Sequence, residues 1–285
     1  MAAERPLDRL DSELVERATS GEAAAVEAIV TTLTTPVYNL ALRMLHAHHD
    51  AEEATQEALI RVVTNLSSFQ GRSRFSTWAW TIATRAILDY GDGRARRPML
   101  SAAEFSEDLA DGLGSPNSAP LNSASSNSAS SNIGDPETTA ILGQVKLGCG
   151  RAMLQTLSGD LRVAYTLGEI LDLDQTEAAA ALGLSPAAYR KRLSRARSQL
   201  QAVLDANCGI VDRGNNCRCA LRRDRAIQLR RLEPADAVDL DVDALSRTVR
   251  QLDGLGRVAA YFRADPEANA SERLLPYVRA VLGVS

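Results

Sequence analysis

Histidine and aromatic residues are scarce in this chain. Its three histidines, His46, His48 and His49, sit within four positions of one another, and Phe, Trp and Tyr make up 4% of 285 residues. So little imidazole leaves scant material for general acid–base work. No nucleophile beside a base, no phosphate-cradling Gly loop and no catalytic carboxylate pair is visible either, so an enzyme is the weakest reading. Few aromatics beside abundant Ala and Leu disfavour sandwiches and barrels and predict an all-α protein. Four cysteines are too few to staple a chain of this length, which excludes a disulfide scaffold. Long apolar runs are missing as well: nothing approaches the roughly 18–20 residues that span a bilayer. The opening MAAERPLDRLDSELVERA is charged and amphipathic, unlike a secretory leader. A cytoplasmic protein without a membrane partner is expected.

What is present supports about two domains. Apolar residues reach 45%, enough for real cores, and the net charge of −4 argues against non-specific coating of nucleic acid. A total can hide a local basic face, so charge is read by segment. The stretch SAAEFSEDLADGLGSPNSAPLNSASSNSASSNIGDPETT is rich in Ser, Asn, Ala, Gly and Pro, and predicts a flexible linker over 98–139. It separates helical units at 10–97 and 140–205. A further segment, 206–285, follows.

In the first unit, DAEEATQEALIRVVTNLSSF offers Asp50 as an N-cap with Glu53 three residues on, a capping-box spacing. Ala58, Leu59, Val62, Val63 and Leu66 recur at helical spacing and mark a buried face. Glu53, Gln56, Glu57 and Ile60 fall on another, which on chemistry alone reads as solvated. Next, FQGRSRFSTWAWTIATRAILDYGDGRARRP gathers Phe69, Phe75, Trp78, Trp80 and Tyr90, with Arg72, Arg74, Arg85, Arg94, Arg96 and Arg97 around them. Ser73 or Ser76 can cap the helix. Arginine beside aromatic rings is the pairing that grips single-stranded nucleic acid. Trp78 is expected in the core, and Trp80, about 200° further around the helix, at the surface.

In the second unit, LDLDQTEAAAALGLSPAAYRKRLSRARSQL reads as helix, tight turn, helix. Asp174 and Glu177 form a capping box, Gly183 takes the left-handed turn, Ser185 caps the second helix and Pro186 starts it. Leu184, Tyr189, Leu193, Ala196 and Leu200 make the buried stripe. A recognition helix enters the major groove by its N-terminal residues. Ala187, Ala188, Arg190, Lys191 and Ser194 are therefore placed for base edges, and Arg192, Arg195 and Arg197 for phosphates.

These two blocks, in this order around a polar linker, resemble the two main regions of bacterial sigma-70-type factors, closely so in the extracytoplasmic-function group. The resemblance implies two helical domains, sigma region 2 at 10–97 and sigma region 4 at 140–205, with 206–285 as a small helical extension. It implies a subunit that binds core RNA polymerase and directs initiation at particular promoters, with polymerase and promoter DNA as partners and an anti-sigma protein as a further candidate. By the same resemblance, Asp50, Glu53, Gln56, Glu57 and Arg61 dock on the β′ clamp helices, while the β flap is a second polymerase contact. Arg72, Ser73, Arg74, Phe75, Trp80 and Arg85 would open the −10 element, and the helix-turn-helix would read the −35 element. Thr84 and Arg85 stand where the family commonly has Arg-Asn. The alternative is a stand-alone helix-turn-helix regulator, which predicts tight duplex binding by the protein alone.

The extension carries ANCGIVDRGNNCRCALRRDRAIQLRRL, with Cys208, Cys217 and Cys219 among Arg213, Arg218, Arg222, Arg223, Arg225, Arg230 and Arg231, one reading of which is an extension of the DNA-binding surface by phosphate contacts. Three thiols fall one short of a closed zinc site unless Cys149 or an Asp completes it. A low-pKa thiol sensing oxidants and plain structural cysteines are the other readings. No cofactor is otherwise expected. DVDALSRTVRQLDGLGRVAAYFRADPEANASERLLPYVRAVLGV reads as further helices, either a packed cap or a fused regulatory tail.

Overall fold

The computed structural model describes residues 10–96, 99–111, 136–229, 231–232, 238 and 240–283. Among them are thirteen α-helices and no strand, the all-α architecture expected from composition. The chain divides into two compact units, Met1–Pro98 with Ser158–Ala196 and Glu267–Ser285, and Met99–Leu157 with Arg197–Pro266.

The first unit is built around α2 (Ala23–Leu45), which follows α1 (Ser12–Thr19) and precedes α3 (His48–Thr64) and α4 (Phe75–Gly93). Helix α2 is apolar nearly all round, so it is the central helix: Ile29, Val30, Leu33, Val37, Leu40 and Met44 are all buried. Helices α1, α3 and α4 pack against it, and α7 (Gly159–Tyr165) joins them. Arg162 of α7 is fully buried and donates to the Met44 carbonyl at the end of α2. Burial pushes its guanidinium down to about 10. After a π-helical turn at Thr166–Ile170 come α8 (Gln175–Ala181), which packs on α4, and α9 (Pro186–Asn207), whose residues up to Ala196 belong to this unit and the rest to the second. The last helix of the chain, Leu274–Leu282, also belongs to this unit and packs on α2 and α3.

The second unit centres on α6 (Pro136–Gln155), against which α5 (Ala102–Asp111), α10 (Cys219–Gln228) and α11 (Val242–Arg250) pack; α12 (Gly254–Arg263) pairs with α11. Two buried cations hold it. Lys146, with no exposed side-chain surface, donates to the Tyr261 carbonyl (2.6 Å) and pairs with Asp265. Arg222 donates to the carbonyl of Asp108 (2.9 Å) and to its carboxylate (3.0 Å), and Arg231 clasps the same carboxylate through two bonds of 2.7 Å. The pair of guanidiniums, Arg231 first, holds the Asp108 carboxyl below its ordinary range.

Two expectations change here. The linker expected over 98–139 includes an ordered helix, α5, where Phe105 and Leu109 are buried; most of the rest of that linker, 112–135, lies outside the described residues. Arg97 and Arg230 also lie outside them. Helix α3 starts at His48 with Ala47 at its N-cap, so Asp50 sits in the first turn and caps nothing. A tertiary bond draws the start forward, because the Tyr38 hydroxyl meets His48 Nδ1 at 2.6 Å.

Candidate nucleic-acid interface

The helix-turn-helix forms by the local rules its sequence obeys. The Asp174 carboxylate accepts from the N–H groups of Thr176 (2.8 Å) and Glu177 (2.9 Å), and the Ser185 hydroxyl accepts from Ala188 N–H (3.2 Å). Gly183 turns between them at φ +65°, where a Cβ is strained. Tyr189 has no exposed surface, and its hydroxyl donates to the Ala164 carbonyl at 3.0 Å. That anchor fits because residue 168 is glycine: a Cβ there would stand 2.2 Å from the Tyr189 hydroxyl.

With Tyr189, Leu193, Ala196 and Leu200 turned inward, Ala187, Ala188, Arg190, Lys191, Ser194 and Arg195 are exposed. Arg192 and Arg197 are half-buried on the flanks, and Arg192 lies 3.6 Å from the Asp160 carboxylate. The face from Ala187 to Arg195 is thus a row of small and cationic side chains one helix wide. Small residues allow close approach to base edges, and the cations supply hydrogen bonds and phosphate attraction.

The arginine loop before α4 is also accessible. Arg72, Ser73 and Arg74 are exposed, as is Arg85 one face along. Behind the loop stand three rings: Phe69 meets Phe75 edge-on at 5.3 Å between centroids, and Trp78 lies 5.4 Å from each. The tryptophans exchange their expected places. Trp80 is 4% exposed, and Trp78 is half-exposed beside the loop. Helix α4 is covered by α2, α3 and α8, so its buried arc is wide enough to take in residue 80, while the Phe69 ring holds Trp78 at the rim. Phe75, expected to touch DNA, is 6% exposed and serves as the base of this ring cluster. Ser76 lies inside the helix rather than at its cap, and its hydroxyl donates to buried Glu177 of α8 at 2.8 Å. Phe69 went unrecognised as part of the site; its six-residue spacing from Phe75 carries no helical signal.

Two acids of the α3 face reach the far end of α4 and the turn after it, and others pair within α3. Glu57 accepts from Arg61 (2.6 Å), Asp50 pairs with Arg94 (3.4 Å), and Glu53 accepts from the Tyr90 hydroxyl and faces His49 (3.3 Å). Burial first, and then this bond to Glu53, push the Tyr90 phenol up to about 12. Glu53 and Glu57 keep exposed surface, and Asp50, Gln56 and Arg61 are half-buried. Tyr90 and Arg94 escaped notice as partners of this face, since only the packing of α3 on α4 sets them opposite it.

All four cysteines belong to the second unit. Cys208 and Cys217 pair as an isolated backbone bridge, Cys219 opens α10, and Cys149 lies on α6, against which α10 packs. All are free thiols. Burial raises each one, Cys217 to about 11 and Cys219 to about 12, the opposite direction from the low-pKa thiol that the sensor reading calls for. Among the described residues no group of three or more His, Cys, Asp or Glu side chains is arranged to hold a metal ion. The arginines expected to extend a DNA surface are partly committed inside the unit: Arg218 donates to the carbonyls of Cys217 and Arg213 (each 2.8 Å), and Arg222 and Arg231 hold Asp108.

Comparison with known proteins finds two family matches on this chain. The family description Sigma-70 region 2 matches residues 29–97, and Sigma-70, region 4 matches residues 149–200. The RNA polymerase sigma-H factor of Pseudomonas aeruginosa is 30% identical over 202 residues, which cover 68% of this chain and 93% of that one. The ECF RNA polymerase sigma factor SigG of Mycobacterium tuberculosis is 34% identical over 174 residues; the match covers 56% of this chain and only 44% of that relative. Among solved structures, CnrH in complex with the cytosolic domain of CnrY aligns over 68% of this chain and 96% of that one, at 23% identity and a TM-score of 0.45. Among the described residues no helix is long and apolar enough to cross a membrane.

Proposed function

Because this chain belongs to the sigma-70-type factors, in their extracytoplasmic-function group, we propose that it binds core RNA polymerase in the cytoplasm and directs initiation at a particular set of promoters. The observation that carries this reading is the pairing of two accessible cationic elements in one chain: the α9 face from Ala187 to Arg195 and the loop Arg72–Arg74 in front of the Phe69–Phe75–Trp78 cluster. A duplex reader alone has no use for the second element.

On this reading Ala187, Ala188, Arg190, Lys191 and Ser194 meet base edges of the −35 element, and Arg195, with Arg192 and Arg197 at the flanks, meets phosphates. At the −10 element, Arg72, Ser73 and Arg74 hold the displaced strand and Arg85 adds charge. A base leaving the stack costs a few kcal/mol, which ring stacking and phosphate contacts offset without any catalytic group. Trp78 replaces Trp80 as the ring that meets the base. The Glu53, Gln56 and Glu57 face of α3, with Asp50 and Arg61 at its edge, docks on the β′ clamp helices, and the β flap takes the helix-turn-helix unit. Nucleotide addition remains the polymerase's own chemistry. An anti-sigma protein is a further candidate partner.

In vitro transcription with core polymerase and a promoter library tests this. Stimulated initiation at a subset of promoters is the expected result. Duplex binding by the protein alone, with no stimulation at any promoter, would instead identify a stand-alone regulator.

A further inference from the structure

Residues 201–285 lie outside both family matches, yet their last part returns to α2 and α3. Asn39, in α2, is 1% exposed, and its carboxamide pairs with both backbone groups of a single residue: Nδ2 donates to the Ala268 carbonyl (2.8 Å), and Oδ1 accepts from Ala268 N–H (3.0 Å). This pairing recognises backbone rather than a side chain. Three residues on, Ser271 N–H donates to Glu52 Oε1 at 3.0 Å. The helix α13 (Leu274–Leu282) then buries Leu274 and Val278, one turn apart, and Arg279 pairs with Glu27 of α2 at 2.6 Å. Tyr277 and Val281, along the edge of that same apolar stripe, are each 51% exposed.

The strap is lightly held, and its position matters. Among the described residues, two fully buried apolar side chains, one half-exposed ion pair and three hydrogen bonds seat the segment Glu267–Leu282 on this unit. Glu52 adjoins Glu53 and stands one helical turn before Gln56, so the strap runs along the edge of the α3 face assigned above to core polymerase. We infer that Glu267–Leu282 is a built-in competitor for polymerase: seated on α2 and α3 it crowds the clamp-binding face, and full-affinity binding of core requires its release. The inference rests on the α3 reading under Proposed function. It gives the extension a regulatory task done in cis.

The test uses the full chain. Val278→Asp places a charge where the seat is fully buried, while a released strap leaves that Asp in water, so the rest of the unit is spared. Hydrogen exchange reports whether the 268–282 amides are freed, and titration with core polymerase reports affinity. If the strap is seated about nine-tenths of the time, its release tightens core binding about tenfold. Arg279→Glu should act in the same direction, and Glu27→Arg combined with Arg279→Glu should return both exchange and affinity toward wild type. Freed amides with unchanged or weaker core binding overturn the proposal, as does a strap that stays protected in Val278→Asp. Failure of the underlying reading is told apart by Glu57→Lys, which lowers core affinity if α3 is the docking face and leaves it unchanged if it is not.

Discussion

Helices α9 and α4 carry similar promises in sequence, each an apolar stripe edged with arginine, yet they keep them differently. Helix α9 buries the stripe Tyr189, Leu193, Ala196 and Leu200 and leaves its charges out. Helix α4 buries Phe75, Ser76, Ala79, Trp80, Ala83, Thr84 and Ile87, more than half its circumference. The difference lies in the number of neighbours. A helix covered on one side has an inside that its own periodicity describes, whereas one covered by α2, α3 and α8 has its inside chosen by those partners.

The sharpest way to break the comparison is at the two tryptophans. Trp80→Ala should destabilise the first unit by about 3–5 kcal/mol, the cost of emptying a large buried site, whereas Trp78→Ala should cost less and mainly impair promoter opening. Denaturant unfolding and permanganate reactivity of the −10 element separate the two effects. The reverse pattern, with Trp78 the more costly, would restore the assignment drawn from periodicity. On the α9 side, Gly168→Ala should cost about 1–3 kcal/mol, because the added Cβ overpacks against Tyr189. Combining it with Tyr189→Phe should recover part of that loss, since the hydroxyl is the atom in the way.

Smaller effects test the open faces. Replacing Arg190 or Lys191 with Ala should change −35 preference by about 1–3 kcal/mol at the base concerned and leave core polymerase binding intact. Selection from a randomised −35 library reads this, and loss of core binding would put the polymerase interface in the wrong element. The smallest effect is one of pH. Folding raises the Tyr90 phenol from 10.0 to about 12, so its contribution to stability is complete below pH 10 and fades as pH rises through the folded value. Tyr90→Phe should flatten that alkaline arm in thermal unfolding measured from pH 8 to 11.5.

How far the sequence could be read follows the same division. The caps at Asp174 and Ser185, the turn at Gly183 and the inward set on α9 are all settled within a few residues of themselves, and they stand as read. The Asp50 cap failed because Tyr38, ten residues before His48, sets where α3 begins. Ser76 looked like a cap and instead serves Glu177, 101 positions away. The arginines at 218, 222 and 231 looked like a DNA surface, but carbonyls and Asp108 inside their own unit claim them.

The sequence by itself determined that the segments at 10–97 and 140–205 are helical, where the helix-turn-helix bends and which side of α9 bears charge, because hydrogen bonds and side-chain neighbours three or four residues apart decide those things; the helix α5 inside the expected linker is the exception. Only the tertiary structure decided which tryptophan meets the loop, what the acids of α3 are paired with, and that the backbone of Ala268 rests on Asn39, 229 residues before it. Those outcomes depend on which surfaces exclude water from one another, and a spacing along the chain does not encode that.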